Sequence, residues 1–196
     1  MYKNYLKRLF DCVSATVVFI LMSPLFLVLC VLIKLDSKGP ILFKQRRIGK
    51  DKTEFLILKF RSMRTDAPKD QPTHLLQNPD AHITKIGKFL RRTSLDELPQ
   101  LINIILGQMS VVGPRPALYN QYDLIKLRDH YAANEVRPGL TGWAQVNGRD
   151  ELPIDIKSKL DGEYIEKMSF LFDLKCIART FKSVSTAEGI IEGKHD

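Results

Sequence analysis

Twenty-two consecutive residues, Cys12 to Ile33, carry no charge. That is the length at which a helix spans the hydrocarbon core of a bilayer, so the fold must lay this run against lipid or against a large protein core. With 196 residues the chain can build one domain with its own core and has little left for a second. The run is too long for the apolar region of a secretory signal, and no small-residue cleavage pattern follows, so it reads as a membrane anchor over residues 1–38. Ser23-Pro24 interrupts its middle. Proline breaks the helical ladder and divides the run into halves of roughly 16 Å, neither of which spans alone. Lys3, Lys7 and Arg8 precede the run, and Lys34, Lys38, Lys44, Arg46 and Arg47 follow it, so the distribution of basic residues orients no single pass. Two arrangements fit: a kinked spanning helix, and a re-entrant helix-break-helix with both ends cytoplasmic, in which the Ser23 hydroxyl helps satisfy carbonyls freed by Pro24.

The formal charge of +8 calls for an anionic partner: nucleic acid, an acidic membrane surface or phosphorylated small molecules. Cys12, Cys30 and Cys176 have no Cys-x-x-Cys spacing and read as reduced, buried residues of a cytoplasm-facing protein. The four histidines show no metal-ligand spacing. There is no Walker loop, dinucleotide fingerprint or internal repeat.

Beyond the anchor, residues 39–186 read as an α+β domain, mostly helical, with 187–196 as a tail. Ile41–Gly49 and Glu54–Met63 pattern as two short strands of a hairpin, and their Arg47, Lys59 and Arg61 suit either a phosphate site or a solvated or lipid-facing strand edge. Thr65–Pro79 holds three prolines and reads as an irregular loop. Ile83–Leu90 follows as a short helix.

The next stretch is Arg91-Arg92-Thr93-Ser94-Leu95-Asp96-Glu97-Leu98-Pro99-Gln100. Ser94 and Glu97 have capping-box spacing, and apolar residues recur at helical intervals from Leu95 to Ile105, predicting a helix from Ser94 to about Gly107. Asp96 then falls in the first turn, where free N–H groups lower a carboxylate's pKa, as suits a nucleophile. Glu97 supplies a hard oxygen of the kind Mg²⁺ takes. A helix that is merely capped has the same pattern. Pro99, lacking an N–H for the Leu95 carbonyl, loosens that first turn.

In Gly113-Pro114-Arg115-Pro116 an arginine is held between two prolines, either as a rigid diphosphate clamp or as a solvent-facing turn residue. Tyr119–Glu135 reads as a helix. The loop-rich stretch Val136–Arg149, with Arg137, Arg149 and the lone Trp143, reads as a site wall, although a small core is the commoner fate of a single tryptophan. Leu160–Lys167 and Phe170–Val184 read as helices, the second either interfacial or core-packing with a basic outer face.

Taken together, Ser23-Pro24, Phe43-x-Gln45-x-Arg47-x-Gly49, Lys59-Phe60-Arg61-Ser62-Met63, Ser94 to Gln100, Gly113 to Pro116, and the Arg137-Pro138-Gly139 to Gly148-Arg149 block resemble the bacterial sugar transferase family of small monotopic phosphoglycosyl transferases. The resemblance covers nearly the whole chain. It implies transfer of a phospho-sugar from a UDP-sugar to polyprenol phosphate, releasing UMP, with Mg²⁺ as cofactor and a ping-pong route through a covalent enzyme intermediate that opens lipid-linked glycan assembly. It implies Asp96 as nucleophile, Glu97 as its partner and Mg²⁺ ligand, Arg91 and Arg115 near phosphate, and a re-entrant anchor in the bacterial inner membrane with the domain on the cytoplasmic face; Lys59, Arg137 and Arg149 are further candidates at the substrate. Nucleic acid is then no partner. Lys52 departs from the glycine many members carry in the first hairpin. The rival reading is a membrane-anchored, non-catalytic binder of nucleic acid or acidic lipid, which has no need of Asp96-Glu97; loss of its binding follows the total number of Lys and Arg removed.

Overall fold

The computed structural model describes residues 2–68, 79–148 and 152–186; most of the expected 65–79 loop, Arg149 and the expected tail lie outside them. After a π-helical turn at Tyr2–Leu6, the uncharged run lies within one α-helix, α1 (Lys7–Asp36), which is long and apolar enough to cross a membrane. Where two helical halves were expected, Pro24 lies inside this one helix. The reason is local. Pro24 offers no N–H to the Ile20 carbonyl, and the Ser23 hydroxyl donates to that carbonyl instead, at 2.7 Å.

Both ends of α1 pack on the rest of the chain. Near its start Lys7 pairs with Asp173 at 2.6 Å, Arg8 donates to the carbonyls of Ile104 and Ile105, and Asp11 accepts from the Ser110 hydroxyl and the Val111 amide. Near its end Leu29 and Ile33 are buried with Phe60 and Leu90, and the Asp36 carboxylate accepts from the Ile86 amide. Between these anchorages Ile20 to Pro24 are exposed. The Phe19 and Phe26 rings, two turns apart in sequence, approach to 5.2 Å.

The hairpin forms as the alternation predicts. β1 (Leu42–Ile48) pairs antiparallel with β2 (Glu54–Phe60), Phe43 opposite Lys59. Asp51 and Lys52 in its turn have φ of 53° and 60°, the left-handed region that glycine occupies without strain; the departure at Lys52 thus meets a backbone that favours glycine. A short helix, α2 (Lys85–Arg92), is capped by the Thr84 side chain, and α3 (Gln100–Ile105) ends ahead of Gly107 at φ 84°.

The remaining elements are β3 (Ser110–Val112), α4 (Tyr122–Asp129), β4 (Gly139–Thr141), α5 (Ile154–Lys167) and α6 (Phe170–Thr186). The parallel pair β3 and β4 was not foreseen, because three-residue strands show no periodicity. α4 is shorter than the expected Tyr119–Glu135 helix; Ala132, at φ 53°, turns the chain after it. Three apolar clusters join these parts. Ala15 of α1 packs with Phe55 and Ile57 of β2 and Leu101 and Ile104 of α3, while Trp143 is buried with Tyr164 and Cys176, its ring 4.9 Å from Phe172. Its burial realises the commoner fate, and all three cysteines are free.

Candidate active site

Asp96 and Glu97 stand where α2 gives way to α3, on a 3₁₀ turn, Leu95–Glu97. The predicted helix start at Ser94 is corrected. Ser94 is left-handed at φ 56° and its side chain caps nothing. The amides of Ser94, Glu97, Leu98, Leu101 and Ile102 each reach back three residues, to Arg91, Ser94, Leu95, Leu98 and Pro99. With no N–H at Pro99 the ladder cannot close in α form across the dyad, so the chain crosses it as a tighter 3₁₀ coil and becomes α-helical only from Gln100.

This geometry gives the two carboxylates different surroundings. Glu97 accepts from Lys59 at 2.7 Å and from Arg115 at 3.1 Å, both on Oε1. Asp96 is 8% exposed, makes no side-chain hydrogen bond among the described residues, and lines a cavity of about 400 Å³ with Arg47, Lys59, Arg61, Arg64 and Arg91. Burial raises the pKa of Asp96, opposed by the cations of Lys59, Arg91 and Arg115 and assisted by the negative charge of Glu97. Burial would also raise that of Glu97, but Lys59 and Arg115, through charge and hydrogen bonds together, outweigh it and hold Glu97 well below the usual carboxylate range. The expected lowering at Asp96 is thereby corrected: the turn provides no α-helical first turn, and the neighbouring cations bind Glu97.

Each counter-cation has its own support. Lys59 lies in β2, which α3 fixes through Asn103: its side chain accepts from the Leu58 amide and donates to the Leu56 carbonyl and to Gln108. Arg115 projects from the Pro114–Pro116 turn, whose backbone is held at three points. Gly139 donates to the Pro114 carbonyl, Arg128 to that of Arg115, and Arg47 to that of Pro116. A Cβ on Gly139 would lie 2.1 Å from the Gly113 nitrogen, so only glycine permits this approach. Arg128 is in turn buried against Asp161 at 2.6 Å. Sequence reasoning missed Asn103, Arg128 and Asp161, since the strand partners of Asn103 and the two members of the Arg128–Asp161 pair lie more than a dozen residues apart and no motif joins them.

Of the residues expected at the substrate, Lys59, Arg91 and Arg115 gather round the dyad. Arg137 is not among the described residues lining this cavity; its Nε donates to the Gly107 carbonyl at 2.8 Å, beyond α3. Arg149 lies outside the described residues. Arg61, within the cavity wall, is committed to the backbone at the end of α1, donating to the carbonyls of Ile33, Ser37 and Lys38. Among the described residues no three His, Cys, Asp or Glu side chains cluster as a self-sufficient metal site. Asp96 and Glu97 offer two carboxylates, which fits Mg²⁺, an ion that commonly takes one or two and completes its shell with water and substrate phosphate.

Over 182 residues the chain is 42% identical to the UDP-glucose:undecaprenyl-phosphate glucose-1-phosphate transferase of Escherichia coli (strain K12), covering 89% of this chain but 39% of that protein. It is 39% identical to the uncharacterized sugar transferase EpsL of Bacillus subtilis (strain 168), covering 97% of this chain and 92% of the relative. It is 37% identical to the UDP-N-acetylgalactosamine-undecaprenyl-phosphate N-acetylgalactosaminephosphotransferase of Aeromonas hydrophila, of which it spans 45%. The chain thus spans less than half of the two relatives named for a specific sugar. The family described as bacterial sugar transferase matches residues 2–187, almost the entire chain, and to that family the chain belongs.

Proposed function

We propose that the chain transfers a sugar phosphate from a UDP-sugar to polyprenyl phosphate, yielding UMP and polyprenyl diphosphate-sugar, in two steps through Asp96. A carboxylate oxygen of Asp96 attacks the phosphorus bearing the sugar; the bond from that phosphorus to the bridging oxygen breaks, and UMP departs with the oxygen. A phosphate oxygen of the polyprenyl phosphate then attacks the same phosphorus, forming the new diphosphate and returning Asp96 as carboxylate. The observation that carries this reading is the division of labour in the dyad: Glu97 holds Lys59 and Arg115, while Asp96, unencumbered, faces the cation-lined cavity. Names of the similar proteins support undecaprenyl phosphate and UDP-sugars as the substrate classes.

Two polyanions must meet at a carboxylate. Lys59, Arg91 and Arg115 offset that charge in a site partly withdrawn from water, where fixed charges act strongly. Glu97 would hold Mg²⁺, which neutralises diphosphate charge when bound. Re-entry of α1 from the cytoplasmic face of the inner membrane is supported by its two ends packing on the same domain while its apolar middle stands clear. Such an anchor brings the domain to the leaflet where the acceptor's phosphate lies and soluble UDP-sugar arrives.

Intact-mass analysis tests the chemistry. UDP-sugar and Mg²⁺ without acceptor should add one phospho-sugar to the native chain and release UMP, and Asp96→Asn should show neither. An adduct that persists in the variant refutes Asp96 as nucleophile.

A further inference from the structure

Asp96 and Glu97 are adjacent, yet they border different cavities. Asp96 borders the cation-lined one; Glu97 borders a second, of about 230 Å³, whose walls include Leu98, Val111, Leu140, Val146, Ile177 and Phe181. No lysine or arginine is among the described residues lining it. A nucleoside diphosphate keeps its charge within a few bonds of its base, so the cations draw the UDP-sugar to the first cavity. The second is left with apolar walls and a carboxylate bridged by Lys59 and Arg115.

The position of this cavity adds a second argument. Phe181, which lines it and is 72% exposed, stands at its rim. Phe170, Leu174 and Phe181 are exposed at spacings of four and seven along α6 and so share one stripe. Phe170 in turn packs on Phe10 of α1, ring centroids 5.1 Å apart. An apolar surface thus leads from the apolar anchor helix, along α6, to a cavity that reaches the dyad. An acceptor phosphate that enters an enclosed site must draw its first isoprene units out of lipid, and a cavity of this kind spares them contact with water.

We propose that this cavity seats the isoprene units nearest the phosphate of the polyprenyl phosphate acceptor, so that donor and acceptor reach the dyad from opposite sides, the donor past Asp96 and the acceptor past Glu97. The assignment rests on the transfer reading above. One wall atom points to a competitor. Gln145 donates through Nε2 to the Leu140 carbonyl, while its buried Oε1 is without a partner, and the imide N–H of uracil would satisfy it.

Filling the cavity separates the two occupants. With Val146→Trp, UMP release from UDP-sugar alone should stay within about twofold of native, while transfer to polyprenyl phosphate falls at least tenfold and the KM for that acceptor, not for UDP-sugar, rises. With native protein, acceptors of one, two and three isoprene units should improve in that order; in the variant the gain from the added units should vanish. Ile177→Phe, a smaller insertion, should act in the same direction and serves if the tryptophan prevents folding. Loss of UMP release in the absence of acceptor would place the nucleoside in this cavity and overturn the proposal, as would unaltered acceptor kinetics. If native protein releases UMP only with acceptor present, the two-step reading fails, and the cavity is still judged by which substrate's KM the insertion changes.

Discussion

Two neighbouring carboxylates, Asp96 and Glu97, are set apart by which one the cations touch. Because burial raises the pKa of Asp96, the acid limb of the first half-reaction should lie above the range of an ordinary aspartate, and lowering the pH through it should stop UMP release. Lys59 is the strongest charge opposing that rise, so Lys59→Met should move the limb to higher pH, measured as the pH profile of UMP release without acceptor. The same shift bears on stability. An aspartate with a raised folded pKa stabilises the fold below its unfolded pKa and loses that contribution as pH rises through the folded value. At neutral pH its ionised form is therefore a liability, and Asp96→Asn should melt no lower than the native chain while losing the adduct, which a thermal melt at pH 7 checks. Arg115 meets Glu97 through a guanidinium nitrogen; Arg115→Lys should reduce turnover by more than tenfold, on the order of 1.4 kcal/mol, read from kcat/KM for UDP-sugar. Asp96, Glu97, Lys59 and Arg115 were legible in the sequence because each sits in a short contiguous motif. The Arg128–Asp161 pair that supports Arg115 was not, for a buried pair 33 residues apart leaves no local pattern.

Among the elements, the 3₁₀ turn shows why a pattern can name the right residues and the wrong geometry. Ser94 and Glu97 satisfy capping-box spacing, but Pro99 forbids the α-helical ladder behind them, and this veto outweighs the cap. The hairpin was legible because seven-residue strands flank a polar turn, whereas β3 and β4 are placed by the close approach of Gly113 and Gly139 rather than by alternation. Asn103 is the pin between α3 and β2. Replacing it with leucine keeps the bulk but strips partners from the Leu58 amide and the Leu56 carbonyl, so Asn103→Leu should destabilise the fold by about 2 kcal/mol or more, measured by urea denaturation. In α1, Pro24→Leu restores an N–H for the Ile20 carbonyl and removes the ring that disfavours a straight helix. A cysteine introduced near Lys3 should then become reactive to an impermeant reagent outside intact cells in a fraction of molecules, whereas in the native background it should stay protected.

At the scale of the whole molecule, one polar joint couples the anchor to the chemistry. Arg61 follows Lys59 by two residues and grips the last carbonyls of α1, at Ile33, Ser37 and Lys38, so the ammonium that balances the dyad and the helix are parts of one rigid piece. Arg61→Met should leave those carbonyls without their donor; detergent-solubilised protein should lose thermal stability, and UMP release should fall even though Arg61 itself makes no contact with the dyad carboxylates. The joint works as a spirit level does: because Arg61 ties the end of α1 to the strand that bears Lys59, a tilt of the helix would be carried to the ammonium beside Glu97.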